Sequence, residues 1–258
     1  MSTREKAVPG RTAERGLHGL ELWCVDILAA GSALRAMERS TPRLSDWERR
    51  HAPTFADAGL ADEWLAAHIA LRLVLERAVG QQARGVAFVR SAHGKPRIEG
   101  APVAFSLSHI PGLALIALAA GGTVGVDLER ARAVRVRAPR RARIEAAGAA
   151  LDDCQALPEG GDARFLRAWV RLEAFAKAEG CGLGRLLTRL GISGAPAGTE
   201  EAFRARVAGV LAATQVAMTR DVALGDDLFA AVSVGPQPAT PEIFSLPASK
   251  DGLERLLA

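Results

Sequence analysis

Short apolar runs at Leu22 to Ile27, Gly112 to Ala120, Val124 to Leu128 and Leu228 to Val234 predict buried β-strands, each bounded by glycine or polar residues. The first and third runs each carry an aspartate two residues after a small residue, Cys24 before Asp26 and Gly125 before Asp127. The second and fourth runs each close a stretch of about a hundred residues that such a strand opens. This repetition predicts an α/β (α+β) fold of two similar, pseudo-duplicated halves, each a small sheet with helices, at 19–122 and 123–240. The seam falls near Gly121-Gly122, and a site shared by both halves would lie in the cleft there. Residues 1–18 are charged and unpatterned, and the stretch after Gly235 is broken by Pro236, Pro238, Pro241 and Pro247. Residues 1–18 and 241–258 are therefore expected to be tails.

Helical periodicity appears twice. Asp62 is placed to cap a helix from Glu63 to Val79 that Gly80 stops. That helix is apolar around most of its circumference, with one polar stripe of His68, Arg72 and Glu76, in which Arg72 and Glu76 can satisfy each other locally. Val86 to Val89, a turn at His93 to Pro96, and Ala104 to Leu107 read as β-hairpin material. In the second half, Phe165 to Glu179 predicts a helix ending at Gly180, with Trp169, Glu173 and Lys177 on one face.

Composition narrows the class. At 27.1 kDa, 49% hydrophobic and 24% charged, the 258-residue chain is an ordinary globular protein, which excludes wholesale disorder and fibrous repeats. The longest apolar run, Leu113 to Ala120, is far short of the roughly 20 residues of a membrane helix. No apolar leader precedes the charged N-terminus, so a cytoplasmic protein without membrane contact is expected. Cys24, Cys154 and Cys181 lack metal-type spacing and read as free thiols. Of the 33 basic residues only four are lysine, which draws attention to Lys95 and Lys177. Seven arginines between Arg130 and Arg143 form a local basic field suited to phosphate or an acidic protein. No tyrosine and 5% aromatic residues leave few stacking platforms, which argues against nucleic acid as the partner.

Asp127 and Glu129 stand two apart at the end of a strand, so both carboxylates project from one side of the sheet. Like charges so placed repel unless a cation lies between them, and Mg²⁺ completed by phosphate oxygens and water is the usual solution. Glu173 can add a third oxygen from the following helix, with Lys177 one turn on to meet a phosphate. Ser108 and His109 offer a hydroxyl and an imidazole at a strand end, for phosphate binding or a hydrolase dyad. Neighbours on a strand point to opposite faces, which favours phosphate ligation.

Four segments then appear in order: Gly94-Lys95-Pro96; Phe105-Ser106-Leu107-Ser108-His109; Gly125-Val126-Asp127-Leu128-Glu129; and Trp169 to Ala178, with Gly182-Leu183 beyond. Together they resemble the 4′-phosphopantetheinyl transferases of the larger, surfactin-synthetase-activating type. The resemblance reaches more faintly to Leu44 to Arg50 and to Leu71-Arg72. It implies a monomer of two similar halves with coenzyme A in the cleft between them. It also implies Mg²⁺-dependent transfer of the phosphopantetheine arm to a serine of an acidic acyl or peptidyl carrier protein, releasing adenosine 3′,5′-bisphosphate. Carried onto this chain, Asp127, Glu129 and Glu173 hold the metal, Glu173 and Lys177 are catalytic, and Lys95, Ser108 and His109 contact the nucleotide and its phosphates. Where the family commonly places basic residues for the 3′-phosphate, this chain has Glu48, His51 and Glu63, which leaves Arg49, Arg50 or His68 to receive it.

Two other classes compete. A Mg²⁺-dependent nuclease or phosphodiesterase uses similar groups, but its acid and lysine usually sit two apart on a strand, whereas Glu173 and Lys177 are four apart on a helix. A non-enzymatic binder of nucleic acid or an acidic protein explains the arginine run and leaves the four ordered segments unexplained.

Overall fold

The computed structural model describes residues 17, 19–152, 155–194 and 198–258. Cys154 and, apart from Leu17, the expected N-terminal tail lie outside them. The first part of the chain runs β1 (Leu20–Asp26), α1 (Ile27–Ser40), α2 (Asp46–His51), α3 (Ala58–Val79), β2 (Val89–Arg90), β3 (Pro96–Arg97), β4 (Ala104–Ile110) and β5 (Leu113–Ala119). It continues through β6 (Thr123–Arg130), α4 (Ala138–Ala149), α5 (Gly161–Glu179), α6 (Leu183–Arg189), α7 (Glu200–Ala212), β7 (Met218–Asp221), β8 (Leu228–Gly235), β9 (Pro241–Ser245) and α8 (Lys250–Leu257). The result is a mixed α/β protein of several small sheets. Among the described residues no helix is long and apolar enough to cross a membrane, and Cys24 and Cys181 are free thiols.

Two sheets dominate, ordered β4-β5-β1-β9 and β6-β8-β7. In the first, β5 stands between β4 and β1; in the second, β8 stands between β7 and β6, and all these pairings are antiparallel. Alternation along β5 sends Leu115 and Ala117 into a core shared with Val124, Val126 and Leu128 of β6, and Ala114, Ile116 and Leu118 into the helical core of the first half. Burial on both faces explains why this strand reads as an unbroken apolar run. The sheets therefore pack on each other through an apolar layer, and the helices cover their outer faces.

Three expectations change. The C-terminal segment is no tail: β9 pairs in parallel with β1, and α8 packs on α1 and α3. Pro241, which reads as a strand breaker, sits at the first residue of an edge strand, where a missing N–H is tolerated. Helix α3 starts at Ala58, capped by Asp57 rather than Asp62, and runs to Gly80 as expected.

The third change concerns Arg72 and Glu76, which do not satisfy each other. Arg72 is fully buried and donates to both carboxylate oxygens of Glu48, at 3.2 and 2.7 Å, and to Ala83 O at 3.0 Å. Glu76 accepts from Arg43 at 2.7 Å and from Arg84. A desolvated charge needs its full set of hydrogen bonds, which partners from other elements supply more completely than one neighbour a turn away.

A close backbone approach positions the site. A Cβ added at Gly125 of β6 would lie 2.0 Å from Ala174 O and 2.4 Å from Ala178 N, so α5 rests directly on this strand. The contact is with backbone, which no rotamer change relieves. Gly125→Ala is expected to lower stability by about 3 kcal/mol, near the upper end of overpacking penalties, and the melting temperature by about 6 °C or more. A calorimetric scan with an unchanged midpoint contradicts this packing.

Candidate active site

The close contact at Gly125 sets Asp127, two residues on and on the same face of β6, against α5. Lys177 of α5 reaches Asp127 Oδ1 at 2.6 Å and Val126 O at 3.1 Å, and Ser108 of β4 donates to the same Oδ1 at 2.9 Å. Ser106, one pleat earlier, accepts from Val126 N and pins β4 to β6. Asp127 is 5% exposed. Burial pushes its carboxyl above the usual range, against the pull of Lys177 and Ser108 and with added repulsion from Glu129.

Glu173 lies one helical turn before Lys177, on the same face. Its pKa is pushed up to about 7, first by burial and then by the Asp127 charge, while Lys177 and a hydrogen bond with Trp169 oppose the shift. A carboxyl poised near neutrality beside an ammonium is suited to proton transfer at physiological pH. Glu129, at the end of β6, is held by Arg132 at 3.1 and 3.3 Å.

These groups border a cleft of about 450 Å³ that runs between the halves. Glu173, Ala176, Lys177 and Gly180 form one wall, and Phe105, Leu107, His109 and the turn His93 to Pro96 form the other. Asp127 and Ser108 lie just behind this lining. His109 is exposed at the cleft, and its basicity is lowered by partial desolvation and by nearby Lys177. The ammonium of Lys95 points into the second half and donates to Val124 O at 3.0 Å and Ala178 O at 2.8 Å. Burial brings its pKa down to about 8. Lys95 thus ties the β2–β3 turn to β6 and α5 while its stem lines the cleft.

The expected receivers of a 3′-phosphate fare differently. Arg50 is exposed on α2 and does not line the cleft, and Arg49 is engaged by Asp46 and Leu44 O. His68 does line it, but burial brings its pKa down to about 4, and it stacks on Trp64 at 3.7 Å, so it carries no charge near neutrality. Glu48 is committed to Arg72 and to the capping box of α2 with Ser45. Sequence reasoning passed over Trp47, Arg90 and His93, which do line the cleft. The signal was the place of Arg90 and His93 within five residues upstream of Lys95.

Among the described residues no group of three or more His, Cys, Asp or Glu side chains is gathered to hold a metal ion. The cation between the carboxylates is Lys177, and Arg132 draws Glu129 aside. The donor chemistry nevertheless fits a hard divalent cation: the Asp127 and Glu129 charges both raise the proton affinity of Glu173, and that of Glu129 raises the proton affinity of Asp127, a repulsion that such an ion offsets.

The arginine run divides in two. Arg130 pairs with Asp227, Arg132 with Glu129, and Arg141 with Asp162, while Arg143 lies over the Phe203 ring. Arg135, Arg137 and Arg140 are exposed and, among the described residues, form no salt bridge.

No match is found among the curated proteins. Residues 123–216, the segment that carries Asp127, Glu129, Glu173 and Lys177 on β6 and α5, match the model of the 4′-phosphopantetheinyl transferase superfamily.

Proposed function

We propose that this protein transfers the 4′-phosphopantetheine group of coenzyme A to a serine of an acyl or peptidyl carrier protein in a Mg²⁺-dependent reaction. The observation that carries the reading is the Asp127–Lys177–Glu173 group, with Glu173 and Lys177 on the wall of an inter-half cleft and all three inside the segment that matches the superfamily. Asp127, Glu129 and Glu173 are the residues that would hold Mg²⁺, which when bound neutralises charge on the pyrophosphate.

The chain's own residues account for the proton and charge movements. Glu173, ionised above about pH 7, accepts the proton of the serine hydroxyl. The serine oxygen bonds to the phosphorus that bears the pantetheine. The bond from that phosphorus to the bridging oxygen breaks, and the electron pair leaves with adenosine 3′,5′-bisphosphate. The ammonium of Lys177 meets the charge that develops on the leaving phosphate. Asp127 fixes Lys177 and Ser108 through one oxygen, and His109 lies against the phosphates across the cleft. Incubation with coenzyme A, Mg²⁺ and a panel of apo-carrier proteins, read by intact mass, tests the reading: one phosphopantetheine mass added to at least one carrier supports it, and none on any carrier argues against it.

The unpaired arginines suit an acidic carrier. Exposed charge pairs are worth only about 0.2–1 kcal/mol each, but several together raise encounter rates about 10-fold and are screened by salt. The carrier KM is expected to rise with ionic strength, and Ser at positions 135, 137 and 140 to flatten the carrier dependence while leaving the coenzyme A KM at each ionic strength as in the wild type. Arg141 is left intact in this test because its partner Asp162 and its contact with Phe165 make it structural. A triple variant with the wild-type salt profile places carrier docking elsewhere.

A further inference from the structure

The β7–β8 hairpin borders a second cavity, of about 160 Å³, that shares no lining residue with the cleft. Arg167 of α5 and Gln155 of the α4–α5 loop complete its walls. It is well below the roughly 300–1,000 Å³ of pockets that hold drug-sized ligands, so its guest is small. Leu228, Phe229 and Ala230 make one side apolar, and the Arg167 guanidinium lies over the Phe229 ring at 5.7 Å. Asp221, the acid that lines the cavity, is already satisfied: Arg171 holds it through two bonds of 2.7 Å, and Arg167 Nη1 adds a third at 3.0 Å. Arg167 is not satisfied. Its Nε is buried without an acceptor, and among the described residues no acceptor meets Nη2. That edge of a guanidinium pairs with a carboxylate fork to fork. Charge is left over as well: Arg167, Arg171 and Arg220 share Asp152 and Asp221, three positive charges to two negative. Asp226 and Asp227 of the same hairpin do not line the cavity, and Asp227 is paired with Arg130.

We propose that this cavity binds a small aliphatic carboxylate, its head on the Nε–Nη2 edge of Arg167 and its chain against Leu228, Phe229 and Ala230. One positive charge left over matches a monoanion, whereas a phosphate dianion sets its second charge against Asp221. The apolar side is covered only by a guest that carries a hydrocarbon chain. The site goes beyond the transferase reading and does not depend on it. Phe229 stands opposite Glu129 in the β6–β8 register, and the cavity lies on the other side of β8, towards β7, away from the carboxylates of the cleft.

Titration of the full chain with butyrate, acetate and inorganic phosphate, followed by NMR through the backbone amides of residues 221–230, tests the assignment and separates it from binding in the cleft. Butyrate is expected to shift these amides saturably with a Kd in the ~millimolar range, and to bind ~5-fold or more tightly than acetate, which lacks two methylenes to bury. Phosphate is expected to bind at this hairpin ~10-fold more weakly than butyrate. Arg167→Lys keeps the charge, loses the fork and weakens butyrate by ~10-fold. Ala223→Phe, at an exposed position that lines the cavity, fills it with Arg167 intact and removes the shifts, and it decides the matter should Arg167→Lys fail to fold. Butyrate that leaves these amides unmoved, acetate or phosphate that binds there as tightly as butyrate, or either folded variant with wild-type affinity overturns the assignment. The readout involves neither coenzyme A nor carrier, so its failure leaves the transferase reading standing.

Discussion

Glu173→Gln is expected to lower kcat by about 10³-fold, the contribution of a positioned general base, with a smaller change in the coenzyme A KM. The pH profile carries the sign. A base must be deprotonated to act, so wild-type kcat rises with pH through about 7, where burial and the Asp127 charge have brought the Glu173 pKa. Added Mg²⁺ favours the ionised carboxylate and moves that rise to lower pH. The residual rate of Glu173→Gln lacks the rise. Stability moves the other way. A carboxyl whose folded pKa is raised contributes stability that is present below its unfolded value, 4.5, and lost as pH climbs through about 7. Glu173→Gln should therefore melt above the wild type at pH 8 while being nearly inactive, a trade expected of a site that concentrates like charge. A variant with wild-type kcat at pH 7.5, or one that melts lower at pH 8, contradicts the role.

The largest effect on folding is expected at Glu48. Glu48→Ala leaves the Arg72 guanidinium at zero exposure without its carboxylate, and removing one partner of a buried pair costs about 3–5 kcal/mol. It also removes half of the α2 capping box. Glu48→Lys, which restores a basic residue where the resembling family commonly has one, should destabilise at least as much, because it sets a second cation against Arg72. Replacing both partners with Leu and Met should recover much of the loss. Urea melts measure each case. A Glu48→Ala midpoint within about 1 kcal/mol of the wild type contradicts the buried pair.

The sequence was most legible where burial is uniform. Strands β1, β5, β6 and β8 are apolar runs because packing covers both of their faces, and helix α5 is marked by its four-residue spacing and by Gly180 in the left-handed conformation at its end. Periodicity failed where a partner distant in sequence decides the outcome. Strand β9 exists because the edge of β1 is available to it, and its prolines suggest the opposite. Arg72 and Glu76 show the same limit: their spacing fits a local pair, yet each is satisfied by a residue from another element. In the site, Lys95, His109, Glu173 and Lys177 line the cleft, and Asp127 and Ser108 lie behind them. What the sequence did not convey was direction. The Lys95 ammonium turns into the second half, Arg50 turns outward, and Arg90 and His93 face the cleft from a two-stranded turn too short to leave a pattern.

Product stoichiometry with coenzyme A separates transfer from phosphodiester hydrolysis by the same carboxylates and lysine. Adenosine 3′,5′-bisphosphate is quantified alongside modified carrier, with and without apo-carrier present. The account predicts one bisphosphate released per carrier serine modified, almost none without carrier, and neither product from Asp127→Ala. Bisphosphate released at the same rate without carrier, or formed normally by Asp127→Ala, contradicts it.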